Sequence, residues 1–226
     1  MLIGAVFLTL YLAVLVATPF IAAGSVNWPM AWASMGIYVA ISVLNFLLVD
    51  PELVSERTRG LVLPSGTGTR RWDQALATAS WIFFFPVTLL LAGLDVGRFG
   101  WSLPLPGVVQ ILALVTFALG NALGSWAMVS NRYFSTFLRL QRDRQHQVET
   151  RGPYRYIRHP GYAGVIAGAL ALPLALGSRW ALLPAVVGAG GFVLRTALED
   201  RVLLEELDGY AEYASRVHYR LLPGLW

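Results

Sequence analysis

A polytopic all-α membrane protein is the fold class this sequence predicts, with five to six transmembrane helices and a cytoplasmic C-terminal helix. Three observations carry that reading. Hydrophobic residues make up 56% of the chain and charged residues only 13%, about half the charged share of a soluble domain. The apolar residues fall into six runs, most of them close to the roughly 20 residues that cross a bilayer core as a helix. The 17 basic residues are all arginine, and fifteen of them fall in alternate loops or at the end of the sixth run and in the tail, the pattern that marks one side of a membrane as cytoplasmic.

The elements follow in order. Residues 2–23 form the first apolar run. It lacks the basic stretch that opens a signal peptide and is longer than such a peptide's apolar region, so it reads as a retained span. Residues 24–27 turn the chain. Residues 28–49 form the second span, with Trp28 and Trp32 as interfacial anchors. Residues 50–73 form a polar loop whose flexible part is Pro64-Ser65-Gly66-Thr67-Gly68. The third span covers 74–94, with a kink expected at Pro86. A short loop follows at 95–105, and the fourth span covers 106–129. Gly120 and Gly124 in that span allow close helix approach.

Residues 130–160 form a long polar loop with seven arginines. Residues 161–176 and 180–198 then form an apolar hairpin. Its first arm is short for a full span and is expected to be tilted, bent or only partly crossing. Gly188-Ala189-Gly190-Gly191 in the second arm points to another close helix contact. Residues 199–219 read as one amphipathic cytoplasmic helix. The organisation is a four-helix N-terminal transmembrane region, residues 1–129, and a C-terminal catalytic region, residues 130–226, of the same single domain.

Composition also excludes chemistry. The chain has no cysteine, which removes disulfides, thiol nucleophiles and cysteine metal sites. With no lysine there is no Schiff base. His146, His159 and His218 lack zinc spacing, and no metal site is expected. No dinucleotide fingerprint, nucleophile elbow or phosphate loop appears. The net charge of +4 sits in arginines between apolar runs, so topology rather than nucleic acid accounts for it.

Two polar clusters stand out. In Gly152-Pro153-Tyr154-Arg155-Tyr156-Ile157-Arg158-His159-Pro160-Gly161-Tyr162, the prolines break the helix, and a new helix is expected to start near Pro160. His159 then sits at its N-terminus, where backbone N–H groups and the helix dipole favour an anion. The plain alternative is a basic stretch that meets lipid headgroups. The second cluster is Arg195, Glu199, Asp200, Glu205 and Glu206. Arg195 and Glu199 share a helix face, and ionisable residues emerging from a span are functional candidates. For Arg201, Glu205 and Glu212 a solvated helix face is the expected fate. The two clusters are expected to form one cytoplasmic site.

These residues resemble the isoprenylcysteine carboxyl methyltransferase family, which shares its core with the phospholipid methyltransferases. The motif reads Gly152, Tyr154, Arg158-His159-Pro160, Tyr162 and Gly164, followed by Glu199-Asp200. His146 matches an upstream histidine, and Gly209-Tyr210, Tyr213 and Arg220 through Pro223 resemble the closing segment. The likeness covers about the last 80 residues. Asp200 stands where the family usually has a second glutamate.

The resemblance implies an integral-membrane enzyme using S-adenosyl-L-methionine (SAM), with no nucleic acid partner. Its acceptor would be a lipophilic, isoprenylcysteine-like carboxylate entering from the bilayer. His146, Gly152, Tyr154, Arg158, His159, Pro160, Tyr162, Gly164, Glu199, Asp200, Tyr210 and Tyr213 become candidates for holding SAM. Arg158 and His159 suit its carboxylate or ribose, Glu199 and Asp200 its amino group or sulfonium, and the tyrosines its adenine or cation. Arg195 and Glu199 are the candidate catalytic pair, with Arg195 expected to grip the acceptor's carboxylate by a bidentate contact. A phospholipid amine or a thiol remains an alternative acceptor. A small transporter or structural membrane protein is the non-enzyme alternative, disfavoured because the spans carry almost no ionisable residue before Arg195.

Overall fold

The computed structural model describes residues 2–48 and 70–226. Most of the loop expected at 50–73, with its glycine-rich part, Arg57 and Arg59, lies outside the described residues. Seven helices organise the rest: α1 (Leu2–Ala23), α2 (Pro29–Leu48), α3 (Arg71–Phe99), α4 (Gly107–Ser130), α5 (Pro160–Leu176), α6 (Leu182–Glu206) and α7 (Tyr210–Arg216). By length and composition α2, α3, α4 and α6 can each cross a membrane, while α5 and the Leu8–Ala23 part of α1 are shorter apolar helices. The chain is an integral membrane protein.

Helix α3 runs beyond the expected 74–94. It absorbs Pro86 in a wide π turn, Phe83–Val87, which accommodates the missing proline N–H. The Thr88 hydroxyl donates to the Phe83 carbonyl at 2.7 Å. A second π turn, Gly93–Phe99, ends at Gly100 with φ 62°, so the expected loop at 95–105 starts five residues late. The reason lies in Asp95. Its buried carboxylate accepts from the Ser102 backbone N–H (2.7 Å), the Ser102 hydroxyl (2.5 Å) and the Ser178 hydroxyl (2.6 Å). An acid satisfied in this way can face inward from a helix, and it pins the α5–α6 turn to the end of α3.

Small residues set the helix spacing. A Cβ on Gly164 would lie 2.4 Å from the Gly120 carbonyl oxygen, and one on Gly120 would lie 2.6 Å from that of Gly164. Helices α4 and α5 therefore touch backbone to backbone, as the Gly120 and Gly124 pair predicted. Gly191 of α6 sits so close to α3 that a Cβ would meet the Ser80 hydroxyl oxygen at 2.2 Å. Between these contacts the core stacks Phe84 on Phe192, with ring centroids 5.1 Å apart, and buries Leu89, Phe117, Leu172 and Leu176.

The C-terminal region differs from the single amphipathic helix expected over 199–219. Helix α6 continues through Glu199 and Asp200 to Glu206, then Gly209 (φ 80°) separates it from the short α7. The acidic cluster thus extends the rigid α6 span rather than opening a new element. The final segment returns to the start of α5, where the backbone N–H groups of Arg158 and His159 donate to the carbonyls of Tyr219 and Arg220, both at 2.9 Å.

Candidate functional site

Helix α5 begins at Pro160 with His159 as its N-cap, the start that proline placement predicted. This brings Arg158 and His159 against the emerging end of α6. A cavity opens there, lined by Arg158, His159, Gly161, Tyr162, Glu199, Leu203, Leu207, Tyr210 and Tyr213 on one side. The loop residues Tyr133, Phe134, Phe137, Leu138, His146, Gln147, Val148, Glu149 and Tyr154 line the other. The two polar clusters meet in space.

The adjacent acids have different environments. Asp200 is fully buried. Arg158 clasps it with two 2.8 Å hydrogen bonds, from Nε to Oδ1 and from Nη2 to Oδ2. The Tyr210 hydroxyl donates to Oδ1 at 2.8 Å and Arg220 Nε to Oδ2 at 2.7 Å. His159 Nε2 lies 3.1 Å from Oδ1. These partners use the carboxylate's acceptor sites, and Asp200 is absent from the cavity lining. Glu199, one residue earlier on the helix, points elsewhere. It lines the cavity and, among the described residues, accepts one hydrogen bond, from the Tyr162 hydroxyl at 2.5 Å.

Arg158 is similarly committed. Besides Asp200, its Nη1 donates at 2.9 Å to the carbonyls of both Val217 and His218. Burial alone would lower its pKa, but the hydrogen bonds and charge of Asp200 outweigh burial and raise it. Its cation is a fastener between α6 and the C-terminal segment. Arg158 also lines the cavity, whereas Asp200 does not.

Arg195 also lies outside the cavity lining. It is buried and grips Asp73 in the first turn of α3, with Nε to Oδ1 at 2.6 Å and Nη2 to Oδ2 at 3.1 Å. The bidentate contact expected for an acceptor carboxylate is thus made within the chain. The guanidinium carbon lies 5.1 Å from the centroid of the Tyr162 ring, so Arg195 reaches Glu199 through that ring.

The remaining candidates divide in the same manner. His146 lines the cavity and stacks on Tyr133 with centroids 4.4 Å apart. Its Nδ1 accepts from the Gln141 backbone N–H at 3.3 Å, and burial lowers its pKa. Tyr154, Tyr162, Tyr210 and Tyr213 present a largely aromatic wall. Burial, followed by the Asp200 charge, raises the Tyr210 pKa, so that hydroxyl remains a donor. Gly152, Pro160 and Gly164 shape the site without lining it. Gly152 (φ 58°) lies where a Cβ would meet the Ser130 hydroxyl oxygen at 2.4 Å, and Gly164 sits in the α4–α5 crossing.

Sequence reasoning missed Asp73, which it treated as the end of a loop. The signal was present: a lone acid bordering an apolar span needs a partner. It also missed the aromatic wall from Tyr133 to Phe137, whose residues have no helical period and gain a role only when the loop folds over α5.

The donor set suits a small cation that also carries an aromatic group. Glu199 supplies a carboxylate and the tyrosines supply ring faces. SAM, with its sulfonium, amino group and adenine, fits this set. Among the described residues there is no cluster of acids or histidines that would hold a metal ion.

Part of the chain is similar to known methyltransferases. Residues 108–207 match the family model described as phospholipid methyltransferase. The chain is 34% identical over 113 residues to the protein-S-isoprenylcysteine O-methyltransferase of Schizosaccharomyces pombe, covering 49% of this chain and 48% of that protein. A probable enzyme of the same name from Oryza sativa subsp. indica is 28% identical over 113 residues, 49% of this chain and 59% of its own length. The matched part thus spans about half the length of these curated relatives. A solved eukaryotic intramembrane Ras methyltransferase, an isoprenylcysteine carboxyl methyltransferase, superimposes with TM-score 0.47 at 17% identity, covering 92% of this chain and 72% of that one. The matched stretch, residues 108–207, contains α5, α6 and the loop before them, and with them most of the cavity lining.

Proposed function

We propose that this protein is a SAM-dependent methyltransferase that O-methylates the carboxylate of a lipophilic, isoprenylcysteine-like acceptor at the cytoplasmic side of the membrane. The observation that carries the reading is Glu199, a carboxylate facing an aromatic cavity at the end of an apolar hairpin, with Tyr162 as its hydrogen-bond donor. SAM, when bound, supplies an electrophilic methyl group on its sulfonium. Glu199 would hold the adjoining positive charge, and Tyr154, Tyr210 and Tyr213 would offer faces for the adenine or the cation. His146 and His159 would close the polar edge.

The chain's own contribution is positioning and exclusion of water. An ionised carboxylate acceptor needs no general base, so the residues must align the reactants and keep the pocket dry. Charge is neutralised as a carboxylate meets a sulfonium, and a low-dielectric site favours that change. Asp200 holds Arg158 at the pocket's edge, and Gly152, Pro160 and Gly164 allow its close approaches. Arg195 acts through Tyr162. The phospholipid methyltransferase match favours a second acceptor class, a lipid amine. Such an acceptor must lose a proton, and Glu199 or His159 would then serve as the base.

The test is transfer of labelled methyl from SAM to prenylated cysteines, lipid amines and thiols by the purified protein in detergent. Methylation of the prenylcysteine carboxylate is expected. Exclusive methylation of an amine or thiol would move the protein to another acceptor class. Glu199→Gln is expected to weaken SAM binding about tenfold, the loss of one charge-assisted contact. Unchanged binding would remove the proposed site.

A further inference from the structure

The first turn of α3 contains a carboxylate that the proposed chemistry does not use. Asp73 is fully buried and does not line the cavity. Its Oδ1 accepts from Arg195 Nε at 2.6 Å, and its Oδ2 accepts from the Leu138 backbone N–H at 2.6 Å. Arg195 Nη2 donates in turn to the Thr136 carbonyl at 2.8 Å. Phe137 and Leu138, in the same short segment, line the cavity. On the other side, the Arg195 guanidinium lies over Tyr162, whose hydroxyl donates to Glu199 at 2.5 Å.

One carboxylate therefore holds both walls of the pocket. Through Leu138 it fixes the loop, and through Arg195 it fixes the ring that orients Glu199. Helix packing alone does not call for this pair, because Gly188 and Gly191 already bring α6 against Ser80 of α3. Burying two charges is costly, and replacing such a pair with apolar groups often does no harm to stability. What the pair provides here is registry between three segments: the start of α3, the loop at 136–138 and the middle of α6.

We infer that Asp73 is a positioning residue for the methyl-donor site, setting the loop wall and the Tyr162–Glu199 pair in a single geometry. The inference rests on the proposed function for the identity of the ligand, but not for the hold on the loop. It acts through Arg195 and the loop backbone and touches no reacting atom.

The test uses the full chain purified in detergent, with two readouts: the S-adenosylhomocysteine Kd and amide hydrogen exchange at Leu138. Asp73→Asn is expected to raise Kd ten- to a hundredfold, the scale of a small misplacement transmitted to a site, and to speed exchange at Leu138. Where the single variant fails to fold, Asp73→Asn combined with Arg195→Gln removes both buried charges and keeps the shape. The pair variant should fold and still bind weakly. Wild-type Kd and exchange in either folded variant would overturn the inference. Should the unmodified protein bind no S-adenosylhomocysteine, the donor reading fails, and exchange at Leu138 alone decides whether Asp73 holds the wall.

Discussion

Glu199 and Asp200 are adjacent on one helix and point about 100° apart, so the same fold gives them different work. Asp200 ties Arg158, Tyr210 and Arg220 to α6 from a fully buried position. Removing it would strand the buried Arg158 cation, a loss of about 3–5 kcal/mol. Asp200→Ala should therefore lower Tm in detergent sharply, with or without ligand. Glu199→Gln should leave Tm near the wild-type value, because that carboxylate faces the cavity. Equal Tm losses in the two variants would contradict this division. From sequence Glu199 is preferred only for its longer reach and its place one turn from Arg195, since the neighbours that bury Asp200 come from residues 158–159 and 210–220.

Helices α4 and α5 show how an element can matter to the site without touching a ligand. Their backbones meet through Gly120 and Gly164, and α5 carries His159 and Tyr162 at its cavity end. Gly164→Leu cannot be absorbed by rotamer changes, because the obstructing atoms are backbone. Overpacking of this kind costs about 1–3 kcal/mol and moves the helices apart. The expected outcome is a lower Tm together with weaker S-adenosylhomocysteine binding. A variant with unchanged Tm would show that the crossing is looser than its geometry. The small-residue spacing in α4 was legible in the chain, and so was the helix start at Pro160. The extension of α3 past residue 94 was not, because Asp95 looks like a loop residue until Ser102 and Ser178 surround its carboxylate.

At the scale of the whole molecule, the candidate site and the Asp95 knot lie at opposite ends of α3 and of the α5–α6 hairpin. The site lies beside the arginine-rich loop, and the knot beside Arg98 and Arg179. By the positive-inside rule, the cytoplasm is the side we propose for the site. Because the chain has no cysteine, single cysteines can report sidedness without background. Arg155→Cys, at an exposed position near the cavity, should react with an impermeant maleimide only from the cytoplasmic side. Arg179→Cys, exposed in the hairpin turn, should react only from the opposite side. Labelling of both from one side would overturn the topology.

The chain alone identified an apolar helical protein and the boundaries of most of its long helices, because these depend on local composition and spacing. Two facts needed the tertiary structure: that Asp200 is buried while Glu199 faces the cavity, and that Arg195 is already paired with Asp73, 122 positions away in sequence. A carboxylate's role depends on which donors surround it, and those donors are brought together only when distant helices pack.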